Sequence, residues 1–187
     1  MSPEQIAEIL KARFGDAVIA ADMGAHPQVI VAAGHWPEVA RFLRDEPALG
    51  FNMLRSITAV DRPAEHVLEA VYDLLAMTPP EGAPDGYWTA RHAFAVRIRV
   101  DRGDPHIPSV ADVWPAADWH EREAYDLLGI VFDGHPDSVE DHDGLHPRRI
   151  LCPDDWAGHP LRKDYVFPIE YHGIPGTTEY ETPNPVH

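Results

Sequence analysis

The stretch Phe94-Ala95-Val96-Arg97-Ile98-Arg99-Val100 decides the fold, because four apolar residues at 94, 96, 98 and 100 alternate with Ala95, Arg97 and Arg99. A period of two places the first set on one side of a strand and the second on the other, giving a core face and a basic face. Upstream, residues 67–77 are apolar with only loose alternation, and they predict a strand buried on both faces. The Pro- and Gly-rich segment 78–86 joins the two as a loop, and residues 51–60 form a further apolar run. Residues 17–20 and 28–33 are short β-branched runs around Asp22, Gly24 and Pro27, which predicts a strand pair across a turn. Ser2, Pro3 and Gln5 open a helix with a capping box, Ile6, Ile9, Leu10 and Phe14 recur at helical spacing, and Gly15 ends it. A second helix is expected over 37–45, with Val39, Phe42 and Leu43 inward. Ser109 can cap a short turn to Trp114, and Pro115 can open a longer helix that runs to Leu128 and stops at Gly129.

This order predicts an α+β fold, an α/β layer with helices packed on one mixed, mainly antiparallel sheet. After Phe132, prolines from Pro136 to Pro185 break every candidate element, so residues 1–132 are expected to form the compact domain and 133–187 an extended proline-rich C-terminal arm. Such an arm gains little from its own contacts and needs a partner surface.

The net charge of −16 repels phosphate backbones and anionic lipid, which argues against nucleic acid and direct membrane adsorption. No apolar run approaches the roughly 20 residues that cross a bilayer, and the N-terminus lacks the basic and apolar regions of a secretory signal, so the chain is expected in the cytoplasm. With Cys152 alone, this chain cannot build a disulfide, a four-cysteine iron-sulfur cluster or a thiolate zinc site. Electron carriers, if the protein serves them, belong to its neighbours.

Placed at about 100° per residue, the helix 115–128 has an apolar stripe of Ala117, Ala124, Leu127 and Leu128 that would pack on the sheet. Roughly opposite lie Trp119, Arg122, Glu123 and Asp126, with Asp118 and Asp126 four residues either side of Arg122, as an ion-paired network would need. Such charges are commonly a solvated face, but a large aromatic beside an arginine is enriched at interfaces.

The block from Glu121-Arg122-Glu123-Ala124-Tyr125-Asp126-Leu127-Leu128-Gly129-Ile130 to His135-Pro136-Asp137 resembles the signature of the 30 kDa subunit family, also called the C subunit family, of the proton-pumping NADH:quinone oxidoreductase, respiratory complex I. Arg148-Arg149-Ile150-Leu151 and Gly158-His159-Pro160-Leu161-Arg162-Lys163-Asp164-Tyr165 follow in the family's order, and Gly50 to Leu54 and Val113 to Trp119 are also similar. The resemblance implies a cofactor-free structural subunit of the peripheral arm, with FMN, iron-sulfur clusters and quinone in partner subunits. The C-terminal segment would lie along the D subunit, which carries most of the quinone pocket, and near the iron-sulfur subunits. The complex would sit on the cytoplasmic side of the cell membrane, this chain peripheral to it. The interface residues it implies are Trp119, Glu121, Arg122, Glu123, Tyr125, Asp126, His135, Pro136, Arg148, Arg149, Leu161, Arg162, Lys163, Asp164 and Tyr165, with Arg162 and Lys163 reaching acidic groups of a neighbour.

The family runs its Gly-His-Pro-Asp block almost directly into Arg-Arg-Ile-Leu, whereas Ser138 to Pro147 intervenes here. Its His142 and His146, beside Asp133, His135 and Asp137, could supply nitrogen and oxygen ligands to Zn²⁺, though no spacing matches a zinc motif and a solvated acidic loop is the simpler expectation. Two rivals stand beside the scaffold reading. One is the corresponding subunit of a membrane-bound, energy-converting hydrogenase. The other is a freestanding acid-base or metal-dependent enzyme using His120, Glu121 and Glu123, or Asp133 with His135, which lacks a nucleophile elbow, a phosphate-binding glycine loop and a zinc helix. His120 falls on the apolar side of its helix, where a satisfied core histidine is expected.

Overall fold

The computed structural model describes residues 1–82, 84–85, 87–142 and 144–175. The expected loop 78–86 and the inserted segment are therefore described in part, and residues 176–187, with Pro183 and Pro185, lie outside the described residues.

Helix α1 (Pro3–Phe14) starts as its sequence requires: Ser2 Oγ accepts from the Gln5 amide while Gln5 Oε1 accepts from the Ser2 amide. Gly15, at φ 54°, ends it in a conformation that disfavours a side chain. Strands β1 (Val18–Asp22) and β2 (Gln28–Val31) pair antiparallel, and helix α2 (Trp36–Asp45) follows. Strands β3 (Met53–Arg62), β4 (Val67–Thr78) and β5 (Thr89–Asp101) form a long antiparallel meander. The sheet order is β1-β2-β5-β4-β3, with β2 and β5 the parallel neighbours, so the expected mixed and mainly antiparallel α+β architecture is the one found.

The period of two in β5 works as read. Phe94, Val96 and Ile98 lie opposite Leu74, Tyr72 and Ala70 of β4 in the core, under Trp36 and Leu43 of α2. Each fully buried large apolar side chain stabilises the fold by roughly 1.5–3 kcal/mol. The tryptophans set the depth of this layer: Trp36 packs against Tyr72 at 4.5 Å, and Trp114 Nε1 donates to the Phe51 carbonyl at 2.8 Å.

The other side of the sheet carries the basic face. Arg97 and Arg99 converge with Arg62 on Glu69, at 3.2, 3.1 and 2.9 Å. Glu69 is 1% exposed, so β4 is buried on both faces there because three guanidinium stems roof a carboxylate.

Strands β6 (His106–Pro108) and β7 (Val131–Asp133) pair in parallel around helix α3 (Ala117–Leu128), which packs beside β3. The helix begins two residues later than Pro115, because residues 110–114 turn tightly and the Ala117 amide still bonds the Trp114 carbonyl. It ends as expected at Gly129, in the left-handed region at φ 77°. The inserted segment is not a solvated acidic loop: β8 (Ser138–Asp141) and β9 (Gly144–Pro147) make a hairpin, and His146 is buried beneath it. A last pair, β10 (Glu170–Tyr171) and β11 (Ile174–Pro175), closes the described chain.

Replacing Glu69 with Gln should leave three arginines facing a neutral group and cost about 2 kcal/mol, below the 3–5 of a fully buried pair because the arginines are partly solvated. Urea unfolding followed by circular dichroism measures it, and a change under 0.5 kcal/mol would mean that the cage contributes nothing.

Candidate functional site

The three blocks that carry the resemblance meet at one place, the junction of α3 with residues 134–165. Its centre is Asp126, which is wholly buried. Its Oδ2 accepts the amides of Ile150, Leu151 and Cys152 at 3.0, 2.7 and 2.9 Å, and Oδ1 accepts from Arg149 at 2.8 Å. Burial by itself would raise this carboxyl, but the three amides and the guanidinium more than reverse it and hold Asp126 below the usual carboxylate range. This corrects the expectation that Asp126 shares an outer face with Arg122. The helical wheel places Asp126 away from the sheet, and there the returning chain covers it.

Arg149 also donates to Asp126 O and to Gly158 O, and its guanidinium lies 5.7 Å from the Tyr125 ring. His146 of the hairpin stacks on Tyr125 at 4.4 Å, and His159 meets the ring edge-on at 5.4 Å. His159 Nδ1 donates to Asp126 O at 3.1 Å, and burial lowers its pKa, which favours the neutral ring. The carbonyls left open at the end of α3 are closed by the same segment: Leu161 N donates to Leu127 O at 2.9 Å and Arg162 Nε to Leu128 O at 2.8 Å. Gly129 permits this approach, since a Cβ there would stand 2.4 Å from His159.

A second clasp ties the arm to the sheet. Asp61 accepts from Arg102 at 2.8 Å and from the Lys163 amide at 2.8 Å, and Arg102 also pairs with Asp164. Arg102, aided by the Lys163 amide, holds the Asp61 carboxyl below its usual range.

At the other end of α3, Glu121 is wholly buried and accepts from Ser109 Oγ at 2.5 Å and from Val110 N at 2.8 Å. Burial pushes its pKa up to about 7, despite those two bonds, and Asp118 and Asp112 add to the rise. His135 secures the start of the arm. Its Nδ1 accepts from Asp137 N at 3.1 Å, and its Nε2 donates to Asp118 O at 3.1 Å.

Five of the expected interface residues are therefore internal: Glu121, Tyr125, Asp126, His135 and Arg149 are buried within this chain. Arg122, Arg162 and Tyr165 are half-buried, and Trp119, Glu123, Pro136, Arg148, Leu161, Lys163 and Asp164 are exposed. Arg122 does not pair with Asp118 or Asp126. It donates to Arg148 O at 3.0 Å, lies 3.5 Å from Asp137 and covers Trp119 at 5.1 Å. Arg162 is spent inside the chain on α3, whereas Lys163 is exposed. His120 is not a core residue; it is half-buried and lines a cleft beside Leu127, which the apolar stripe was expected to seal against the sheet. Nothing in the sequence marks Asp61 or Arg102, and Ser109 stands out only as a turn cap and His159 only as part of a family block, because each acts on a partner far from it in sequence or in another element. Among the described residues no group of three or more His, Cys, Asp or Glu side chains could hold a metal ion. Nor is any described helix long and apolar enough to cross a membrane.

Residues 29–171 match the family model described as respiratory-chain NADH dehydrogenase, 30 Kd subunit. The chain is 41% identical over 169 residues to the C subunit of NADH-quinone oxidoreductase from Chlorobium phaeobacteroides, covering 89% of this chain and 90% of that protein. It spans only 49 to 65% of seven further relatives of the same name. Among solved structures, Nqo5 of a trypsin-resistant fragment aligns with TM-score 0.53 and 33% identity, over 73% of this chain and 99% of the fragment. A chain of the archaeal membrane-bound sulfane sulfur reductase aligns with TM-score 0.63 and 24% identity over 89% of this chain and 86% of its own, a likeness of fold alone.

Substituting Asn for Asp126 should cost about 3 kcal/mol, since it strands Arg149 and weakens three amide bonds. Amide exchange at Ile150 to Cys152 should accelerate with it, and protection unchanged from the parent would contradict the central role of this carboxylate. Glu121 predicts a pH dependence of opposite sign to the usual acid. Its folded pKa of about 7 exceeds the ordinary 4.5, so between those values the folded state holds a proton that the unfolded state releases. Stability from this group is complete below pH 4.5 and falls as pH rises toward 7, with a limiting slope of about 1.4 kcal/mol per unit. The difference in stability between the parent and Glu121→Gln, measured from pH 4 to 9, should carry that decline; a flat difference would contradict it.

Proposed function

Because the chain belongs to the respiratory-chain NADH dehydrogenase 30 kDa subunit family, we propose that it is a structural subunit of the peripheral arm of a proton-translocating NADH:quinone oxidoreductase. It carries no cofactor of its own. FMN, iron-sulfur clusters and quinone reside in its neighbours, and this chain positions them by docking. Its partners are the subunit that carries most of the quinone pocket and the iron-sulfur subunits, and it attaches to the cytoplasmic side of the membrane through them.

The observation that carries this reading is where apolar surface is left uncovered. Of thirteen large apolar side chains exposed among the described residues, seven fall between Leu145 and Ile174, including Val166 at 85% and Ile169 at 84%. A segment whose internal side is fixed by Asp126, Arg149 and Asp61 while its outer side presents Leu161, Val166, Phe167 and Ile169 is built to be covered by another chain. To the same docking surface we assign the other exposed members of the expected interface, Trp119, Glu123, Pro136, Arg148, Lys163 and Asp164, and the half-buried Arg122, Arg162 and Tyr165, of which Tyr165 meets Phe167 at 5.1 Å.

Extraction of native membranes with mild detergent tests this. The chain should migrate with subunits containing flavin and iron, in a fraction that oxidises NADH with quinone; migration alone would refute the proposal. The corresponding place in an energy-converting hydrogenase predicts instead a nickel-containing fraction without NADH oxidation. Within the complex, Phe167→Ser with Ile169→Ser should lower incorporation at least tenfold while the purified chain melts within about 2 °C of the parent.

A further inference from the structure

Strand β3 is an edge of the sheet, and α3 lies beside it without closing on it. The gap is a cleft of about 300 Å³ with Ile57 and Ala59 of β3 on one wall, Leu127 on the other, and Leu161 of the arm at one end. Its lining is mainly apolar, with Ala124 and Leu128 added to these, and Ser56, Thr58, His120 and Glu123 are its polar members. Protein interiors are normally filled to crystal-like density, so an apolar cleft of this size at the meeting of three elements is a space left for something else.

Its rim has a definite charge. His120 and Glu123 stand at the mouth, and neither has a hydrogen bond or ion pair among the described residues. Three other acids around the junction are already engaged, Asp126 with Arg149, Asp137 with Arg148, and Asp164 with Arg102, and Asp154 lines a different cleft with Arg148 and Arg149. Among the described residues Glu123 is therefore a carboxylate without a cation beside an apolar cleft, on a chain of net charge −16. Leu161 joins the cleft to the apolar surface of the arm, so whatever covers the arm has access to it.

The geometry points to a socket for a segment of the neighbouring subunit that presents one large apolar side chain with a lysine or arginine within a turn of it. The apolar group fills the space between Ala59 and Leu127, and the cation meets Glu123 at the rim. This inference rests on the docking function proposed above and names the part of the partner that enters.

A photo-reactive benzoylphenylalanine in place of Leu127, irradiated in the intact native complex, reads the occupant. The expected product is a cross-link to a peptide of a partner subunit bearing a basic residue within four positions of the attachment point. A cross-link to lipid, to a second copy of this chain, or to a partner peptide without such a residue overturns the inference, as does no cross-link at all. Two substitutions give an independent reading. Ala59→Phe fills the socket from within and should lower incorporation at least tenfold, while Glu123→Lys should lower it three- to tenfold, the modest range of a rim charge. Melting of each purified chain controls for folding, and if Ala59→Phe does not fold, Ala59→Leu replaces it. Incorporation within twofold of the parent for both substitutions also refutes the socket. If those variants assemble while Phe167→Ser with Ile169→Ser does not, the socket fails and the docking function stands; if all assemble, both fail.

Discussion

One buried carboxylate organises the second half of this protein. Asp126 offers four acceptor positions at the last turn of α3, and the chain returns to fill them with three consecutive amides and a guanidinium. The charge is tolerated because the carboxylate accepts four hydrogen bonds, three on Oδ2 and one on Oδ1, and a cation stands beside it. In exchange, a proline-rich segment with no helix and little sheet among its described residues acquires a fixed path. Arg149, Tyr125, His146 and His159 then assemble around the same point, and Gly129 keeps the helix end bare enough for His159 and Arg162 to reach it.

A few buried acids draw the chain's arginines and amides inward. Glu69 draws three arginines across the open side of the sheet, Asp61 draws Arg102 and the Lys163 amide, and Glu121 holds the turn at Ser109 and Val110. The preponderance of arginine over lysine fits this use, since a planar guanidinium can serve a carboxylate and a carbonyl together, as Arg149 does with Asp126 and Gly158. The outer surface of the arm is correspondingly apolar at Val166, Phe167 and Ile169.

Local order is legible in the sequence and long-range order is not. The capping box at Ser2, the alternation from Phe94 to Val100 and the stop at Gly129 each follow from residues within a few positions of one another, and each stands in the fold as expected. Asp126 escapes such reasoning because a helical wheel reports only which side a residue occupies, and the segment that covers that side begins more than twenty residues later. The hairpin at Ser138 to Pro147 escapes it for a related reason: its acidic composition resembles a solvated loop, while its anchor is the stack of His146 on Tyr125. The family's three blocks are recognisable as strings, but only the fold reveals that they are conspicuous together because they touch.

The bond between Asp61 and the Lys163 amide spans 102 positions. Closing so long a loop carries an entropic penalty that shorter contacts avoid, so β3, β4 and α3 can settle before this clasp forms. Nor can the clasp form on the ribosome before Lys163 has emerged. The clasped segment is thus fixed after the elements it is clasped to, and its apolar side takes its final place only once they are formed. Under the proposed docking function, assembly therefore has a built-in order: the sheet and α3 are finished before the surface offered to neighbours takes shape.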